Sequence, residues 1–139
     1  MTMTPEDRKS LLVDFNGNPP ATPASLRLFE MTAGLALPQD YVDFLRYENG
    51  GEGFIGSAYL ILWRVEELLE LNRAYQVTDY APGLLLFGSD GGGEAFAFDR
   101  RSDIAPVVLV PFVGMDLKLI RPLASTFTAF LEAMPRLSI

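Results

Sequence analysis

Residues Leu84 to Asp99, LLLFGSDGGGEAFAFD, constrain the fold of this chain more than any other stretch. An apolar run of strand length meets a Gly-rich acidic turn, and an alternating aromatic run follows, so the segment reads as two strands joined by a tight loop. Gly91, Gly92 and Gly93 lack a Cβ and can all take positive φ, which lets the chain reverse between Phe87 and Ala95 without steric clash. Asp90 is placed to hydrogen-bond amides of its own turn, as Asp commonly does. Glu94 opens the second strand.

Around this hairpin the hydrophobic period changes along the chain. Residues 1–23 hold Pro19, Pro20 and Pro23 with Gly17 and Asn18 and read as an N-terminal arm, in which LLVDF offers an edge strand; 24–139 read as one domain. Ala24–Ala33 predicts a short helix with Leu28 and Met31 inward, ending near Gly34. A second helix starts at Pro38, where a missing N–H costs nothing, with Asp40 complementing the dipole of its first turn. Its Tyr41, Phe44 and Leu45 share one face, and Asn49, Gly50 and Gly51 stop it. Tyr59–Trp63 has strand length, with Trp63 assigned to the core. The helix that follows, Val65 to about Tyr75, turns Val65, Leu68, Leu69 and Asn72 to one side and Glu66, Glu67, Glu70 and Arg73 to the other.

From there the period is two. Strands are expected at Leu84–Phe87, Glu94–Phe98, Val107–Pro111 and Met115–Ile120, spaced as an antiparallel meander would be. A last helix is expected over Leu123–Met134, starting at Ser125 or Pro122, with Phe127, Phe130, Leu131 and Met134 inward. This order of elements predicts an α+β fold, a single twisted, mainly antiparallel sheet with helices packed on one side.

Composition narrows the chemistry. The 139 residues include no Cys and no His, which removes disulfides and thiolate chemistry and takes away the commonest proton-transfer group and transition-metal ligand. The N-terminus offers no signal-peptide core, and the longest apolar segment, Ile104–Met115, is broken by Pro106 and Pro111 and falls far short of the roughly 20 residues of a spanning helix. The chain is therefore expected to be cytoplasmic and away from membranes. Net charge is −7, and it is uneven: between Asp40 and Asp99 there are 11 acids and 3 bases, a local balance of 3 − 11 = −8 that leaves about +1 for the rest. Such a surface repels phosphate backbones, so nucleic acid is disfavoured and a basic protein partner favoured. Solubility is the plainer account of most of these acids.

A glycine-rich acidic turn can be a ligand cradle in three ways. A phosphate loop needs Lys-Ser/Thr and a following helix, whereas Glu94 and a strand follow here. Calcium wants six to eight oxygens, and the spacing of Asp90, Glu94, Asp99 and Asp103 does not match an EF-hand loop. A carboxylate pair for glycoside hydrolysis would need a fixed separation across a cleft that spacing alone does not define.

Four segments taken together carry a resemblance. LPQDYVDFLRYENGGEG (Leu37–Gly53), YLILWRVEELLELN (Tyr59–Asn72), FGSDGGGEAFAFD (Phe87–Asp99) and STFTAFL (Ser125–Leu131) resemble, in order, the SUKH superfamily of fungal cell-wall-assembly regulators and bacterial immunity proteins. The resemblance implies a single α+β domain that binds rather than catalyses, needs no cofactor or metal, and in bacteria serves as a cytosolic antidote to a polymorphic or contact-dependent toxin, often a nuclease. An antidote gains fast association and blocks substrate by setting carboxylates against a basic cleft. The residues expected to meet such a partner are Glu48, Asn49 and Glu52 at the first Gly-rich turn and Asp90 and Glu94 at the second. A regulatory interaction module and a hydrolase or small-ligand binder using the acidic cluster are the competing expectations.

Overall fold

The period-two segments line up side by side in the order in which they occur. The computed structural model describes residues 3–137, with one antiparallel sheet of seven strands in chain order. These are β1 (Phe15–Gly17), β2 (Gly51–Ile55), β3 (Ala58–Leu62), β4 (Leu84–Ser89), β5 (Glu94–Asp99), β6 (Val107–Pro111) and β7 (Arg121–Ala124). The meander is as expected, and the architecture is α+β.

Alternation along β4 and β5 aims Phe87, Phe96 and Phe98 at one side, where they meet helices α3 (Gln39–Leu45) and α6 (Phe127–Ala133). The ring of Tyr41 lies 4.9, 5.0 and 5.7 Å from those of Phe127, Phe98 and Phe87, and Phe96 is 4.8 Å from Phe130. All six rings are fully buried. Burying each of the five Phe rings supplies about 1.5–3 kcal/mol, and their tilted packing adds about 0.5–1.5 kcal/mol a pair, whereas the Tyr41 hydroxyl is buried without a hydrogen-bond partner and offsets part of its ring's gain. Tyr41, Phe44 and Leu45 face inward as their spacing predicts, and Asp40 does more than expected: its Oδ2 accepts from the Thr128 amide at 2.8 Å, so α3 helps cap α6.

Where β3 leaves the sheet, Asn72 replaces it. On helix α4 (Leu68–Ala74), entered through a 3₁₀ turn at Val65–Glu67, its Nδ2 donates to the Leu86 carbonyl and its Oδ1 accepts from the Leu86 amide, both at 2.9 Å. One side chain thus continues the β4 ladder for one residue. Trp63 is in the core as expected, its ring stacked 6.2 Å from Tyr75. A short helix α5 (Val77–Tyr80) leads into β4.

Several expectations are corrected. Helix α2 (Pro23–Ala33) buries Leu26 and Phe29, leaving Leu28 65% and Met31 80% exposed. Apolar residues occupy two neighbouring stripes of this helix, and packing chose the one that periodicity did not single out. The strand expected at Met115–Ile120 is a 3₁₀ turn at Leu117–Leu119, because Asp116 caps it by accepting from the Lys118 amide at 2.8 Å; the strand forms afterwards, as β7. The last helix accordingly starts at Phe127, with Thr126 rather than Ser125 or Pro122 as its cap. Gly51, read with Asn49 and Gly50 as the stop of a helix, opens strand β2. Of the three glycines in the β4–β5 turn, only Gly91 takes positive φ, at +80°.

Residues 3–18 close the sheet's first edge. Helix α1 (Pro5–Leu11) is capped by Thr4, Met3, Leu12 and Phe15 are buried, and β1 pairs with β2 through Phe15–Gly53, Asn16–Glu52 and Gly17–Gly51. No helix among the described residues is long and apolar enough to cross a membrane.

Candidate functional site

Strand pairing decides which of the acidic residues can act together. Glu52 lies opposite Ile61, Ile61 opposite Ser89, and Ser89 opposite Ala95, so these four share one sheet face. Glu94, one residue before Ala95, belongs to the other face. The two acids that flank the Gly-rich turns therefore do not form a pair across the sheet.

Glu52 joins a different group. Phe54 and Tyr59 are directly paired on β2 and β3, with rings edge to face at 5.0 Å, and the Tyr59 hydroxyl donates to the Glu52 carboxylate. That bond, with its neighbour's charge, raises the Tyr59 phenol above its usual range and keeps it a donor. The Tyr59 ring also lies against the β4–β5 turn, 3.0 Å from where a Cβ on Gly91 would stand, and with Ser57, Ala58, Asp90 and Leu137 it lines a recess of about 220 Å³. Glu52, Phe54, Tyr59 and Asp90 thus make one surface with aromatic groups at its centre and carboxylates around them. Phe54 is half exposed on it.

Asp90 also has a local task, the one its turn chemistry predicts. Its Oδ1 accepts from the amides of Gly92 at 2.8 Å and Glu94 at 3.2 Å, and its own amide donates to the Glu94 carbonyl.

Asn49 and Glu48 sit elsewhere. Asn49 is buried and saturated: its Oδ1 accepts from the Val65 amide at 2.9 Å, its Nδ2 donates to Glu66 at 2.8 Å, and its carbonyl accepts from the Asn18 side chain. It ties the end of α3 to the start of the α4 segment. Burial alone would raise the Glu66 carboxyl, but hydrogen bonds from Asn49, its own amide and Ser25, with the charge of Arg64, bring it below its usual value. Glu48 lies over the Cα of Gly17, where a Cβ would collide with its carboxylate. Burial raises its pKa and nearby Arg8, whose guanidinium lies 4.4 Å above the Tyr47 ring, offsets part of that rise. The structure places Glu52 and Asp90 on one surface, and Glu48, Asn49 and Glu94 off it.

The aromatic members Phe54 and Tyr59 are absent from the sequence expectations. The signal was present in GEGFI, whose alternation sets Glu52 and Phe54 outward, but Gly50 and Gly51 read with Asn49 as a helix stop, and the strand expected at Tyr59–Trp63 had no partner assigned on that side. Among the described residues no group of three or more acidic side chains gathers where it could hold a metal ion.

A seven-stranded antiparallel meander with α3 and α6 docked on its aromatic face, and a mixed acidic and aromatic surface at its hairpin tips, defines an α+β domain of the kind the sequence resembled. Residues 20–133 match the SMI1 / KNR4 family (SUKH-1), and the chain belongs to that family. It is also 35% identical over 74 residues to an uncharacterized protein, YnaB, of Bacillus subtilis (strain 168). The matched stretch is 53% of this chain and 47% of that relative, so the chain spans about half of the curated relative's length.

Proposed function

We propose that this chain is a non-enzymatic protein-binding domain that acts in the cytoplasm as an immunity protein, holding a basic toxin domain against its acidic side. The observation that carries the reading is the surface of Glu52, Phe54, Tyr59 and Asp90, where two rings in mutual contact are flanked by carboxylates. Aromatic groups at a patch centre supply most of the binding energy at typical interfaces, while charge at the rim sets orientation and rate. The excess of acids between Asp40 and Asp99 supports the same partner chemistry. A nuclease cleft is basic because its substrate is a polyanion, so carboxylates set against it compete directly with that substrate.

The test is co-expression with any toxin domain encoded beside the gene for this chain. Protection of the cells and a co-eluting complex are expected, with the double substitution Phe54→Ala and Tyr59→Ala weakening the complex by roughly a hundredfold, about 2–3 kcal/mol. Cells that die regardless, with no complex on a sizing column, would remove the reading.

A further inference from the structure

Helix α2 leaves an ordered apolar stripe uncovered. Leu28 and Met31 project into solvent one turn apart, exposed Ala24 precedes them by a turn, and half-buried Leu35 follows just past the Gly34 cap. Intervals of four, three and four residues are those of a seam between paired helices, and this seam lies on the side of α2 opposite Leu26 and Phe29. Scattered exposed apolar side chains are ordinary, whereas a stripe at seam spacing along one helix is not.

Helix α2 and the α4 segment run side by side in the same direction. Ser25 donates to Glu66 at 3.1 Å, Leu28 and Phe29 wall a cavity of about 210 Å³ with Leu69, and Leu35 lines a separate recess with Leu69 and Arg73. One end of this two-helix face therefore carries Glu66, whose hydrogen bonds from Asn49 and Ser25 come from neutral groups and leave its charge in place. The other end carries Arg73 and Arg100, whose side chains make no ion pair or hydrogen bond among the described residues. Glu66 and Arg73 are centred beside Leu69, which is level with Leu28 and Phe29, so the charged and the apolar positions share one midpoint. Across the face Arg27, Arg73 and Arg100 nearly offset Glu30, Glu66, Glu70 and Asp79, in a chain of net charge −7.

We propose that two copies of this chain associate through this face about a two-fold axis at the shared midpoint, with α2 set antiparallel against α2. Leu28 of one copy then lies over Met31 of the other and Ala24 over Leu35, and the flexible Met31 reaches the cavity beside Leu28. The same rotation sets Glu66 of each copy against Arg73 and Arg100 of the other. This self-complementarity selects a second copy as the occupant: one axis pairs apolar with apolar and acid with base, on a face whose near neutrality lets two acidic chains approach. Glu70, close to the axis, meets its own copy and opposes the association. With α2 about 16 Å long, a face two helices wide falls below the roughly 800 Å² per partner of a standard interface, so a reversible, micromolar dimer is expected. The stripe shares no residue with the hairpin surface of Glu52, Phe54, Tyr59 and Asp90, so the inference goes beyond the immunity reading and does not depend on it.

The test is sedimentation velocity on the full chain over a concentration series from about 1 μM to about 1 mM, where a reversible monomer–dimer equilibrium is expected. Leu28→Asp and Met31→Asp should each weaken the dimer by about tenfold or more and Arg73→Glu severalfold, while Phe54→Ala, on the hairpin surface, leaves it unchanged. Both α2 positions are exposed, so unchanged circular dichroism is expected, and each variant checks the other. Because the chain has no Cys, single-Cys variants read the register: oxidised together, Leu28→Cys and Met31→Cys chains should cross-link to each other faster than either does to itself. A dimer indifferent to both Asp substitutions, a dimer lost with Phe54→Ala instead, or self-cross-linking faster than mixed cross-linking overturns the proposal. So does a monomer at every concentration, whatever vesicle or foreign protein the face then binds. Complex formation with a toxin is scored separately, so the two readings can fail independently.

Discussion

The two glycine-rich acidic turns, ENGGEG at Glu48–Gly53 and DGGGE at Asp90–Glu94, look alike in composition and are opposite in structure. In the first, glycine is forced by crowding. A Cβ on Gly51, at φ +143°, would collide with the carbonyl of Asn16 and lie 2.7 Å from the Cα of Gly17. Strand β1 runs that close to β2, and only a residue without a side chain lets it. In the second, Gly93 has nothing within 4 Å of where a Cβ would stand, and Gly92 meets only the Asp90 side chain, at 3.4 Å or more. Two turns of one composition thus differ in kind: the first is an internal joint between the N-terminal arm and the sheet, and the second an open loop beside an exposed aromatic surface.

The largest effect that could break this contrast is at Gly51. Gly51→Ala combines a φ that side chains disfavour with a collision against backbone that cannot rotate away, and of order 3 kcal/mol of stability should be lost, measured by urea unfolding. A loss below about 1 kcal/mol would mean that the arm yields easily and that the first turn is as free as the second.

Asn49→Ala comes next, at about 2–4 kcal/mol, because it strands the buried Val65 amide and leaves Glu66 without its strongest partner. This loss should also depend on pH. Glu66 is held below its usual value in the folded state, so its contribution is present above about pH 4.5, the ordinary carboxyl value, and fades as pH falls through the lowered one. The acid-side slope of stability should therefore flatten in Asn49→Ala. If the variant keeps the parent slope, the Asn49–Glu66 link does not carry it.

The meander, the aromatic core and the inward faces of α3 and α6 were legible in the sequence because period and burial agree there, as in Tyr41, Phe44, Phe127 and Phe130. What escaped it depends on contacts distant in sequence. Gly51 reads as a helix stop until β1 is seen against it, and Asn49 reads as a surface amide until Val65 and Glu66 close round it. Leu28 and Leu26 are equally apolar, and only the packing of α2 tells which is buried. The candidate surface was half legible: the acids Glu52 and Asp90 announce themselves by charge, while Phe54 lies in a segment whose glycines suggested no strand and Tyr59, in an expected strand, gains its role only when Phe54 and Glu52 are paired against it.

In the second turn the expected effects are smaller. Asp90→Ala removes two hydrogen bonds to turn amides that solvent can replace in part, so about 1 kcal/mol should be lost in thermal unfolding. If more than about 2 kcal/mol is lost, Asp90 is a structural member of the joint rather than a free edge of the surface.

Gly93→Ala sharpens the contrast most finely because its sign is the result. Gly93 has no positive φ, its surroundings are open, and its carbonyl, which accepts from Phe112, is untouched by a methyl group. Ala narrows the unfolded ensemble without straining the folded one, so stability should rise by up to about 1 kcal/mol. The same substitution at Gly51 acts in the opposite direction, although the chain reads Gly-Gly at both places. A destabilised Gly93→Ala would show that the β4–β5 turn uses its glycines as tightly as the first turn does, and the open loop beside Tyr59 would become a second joint.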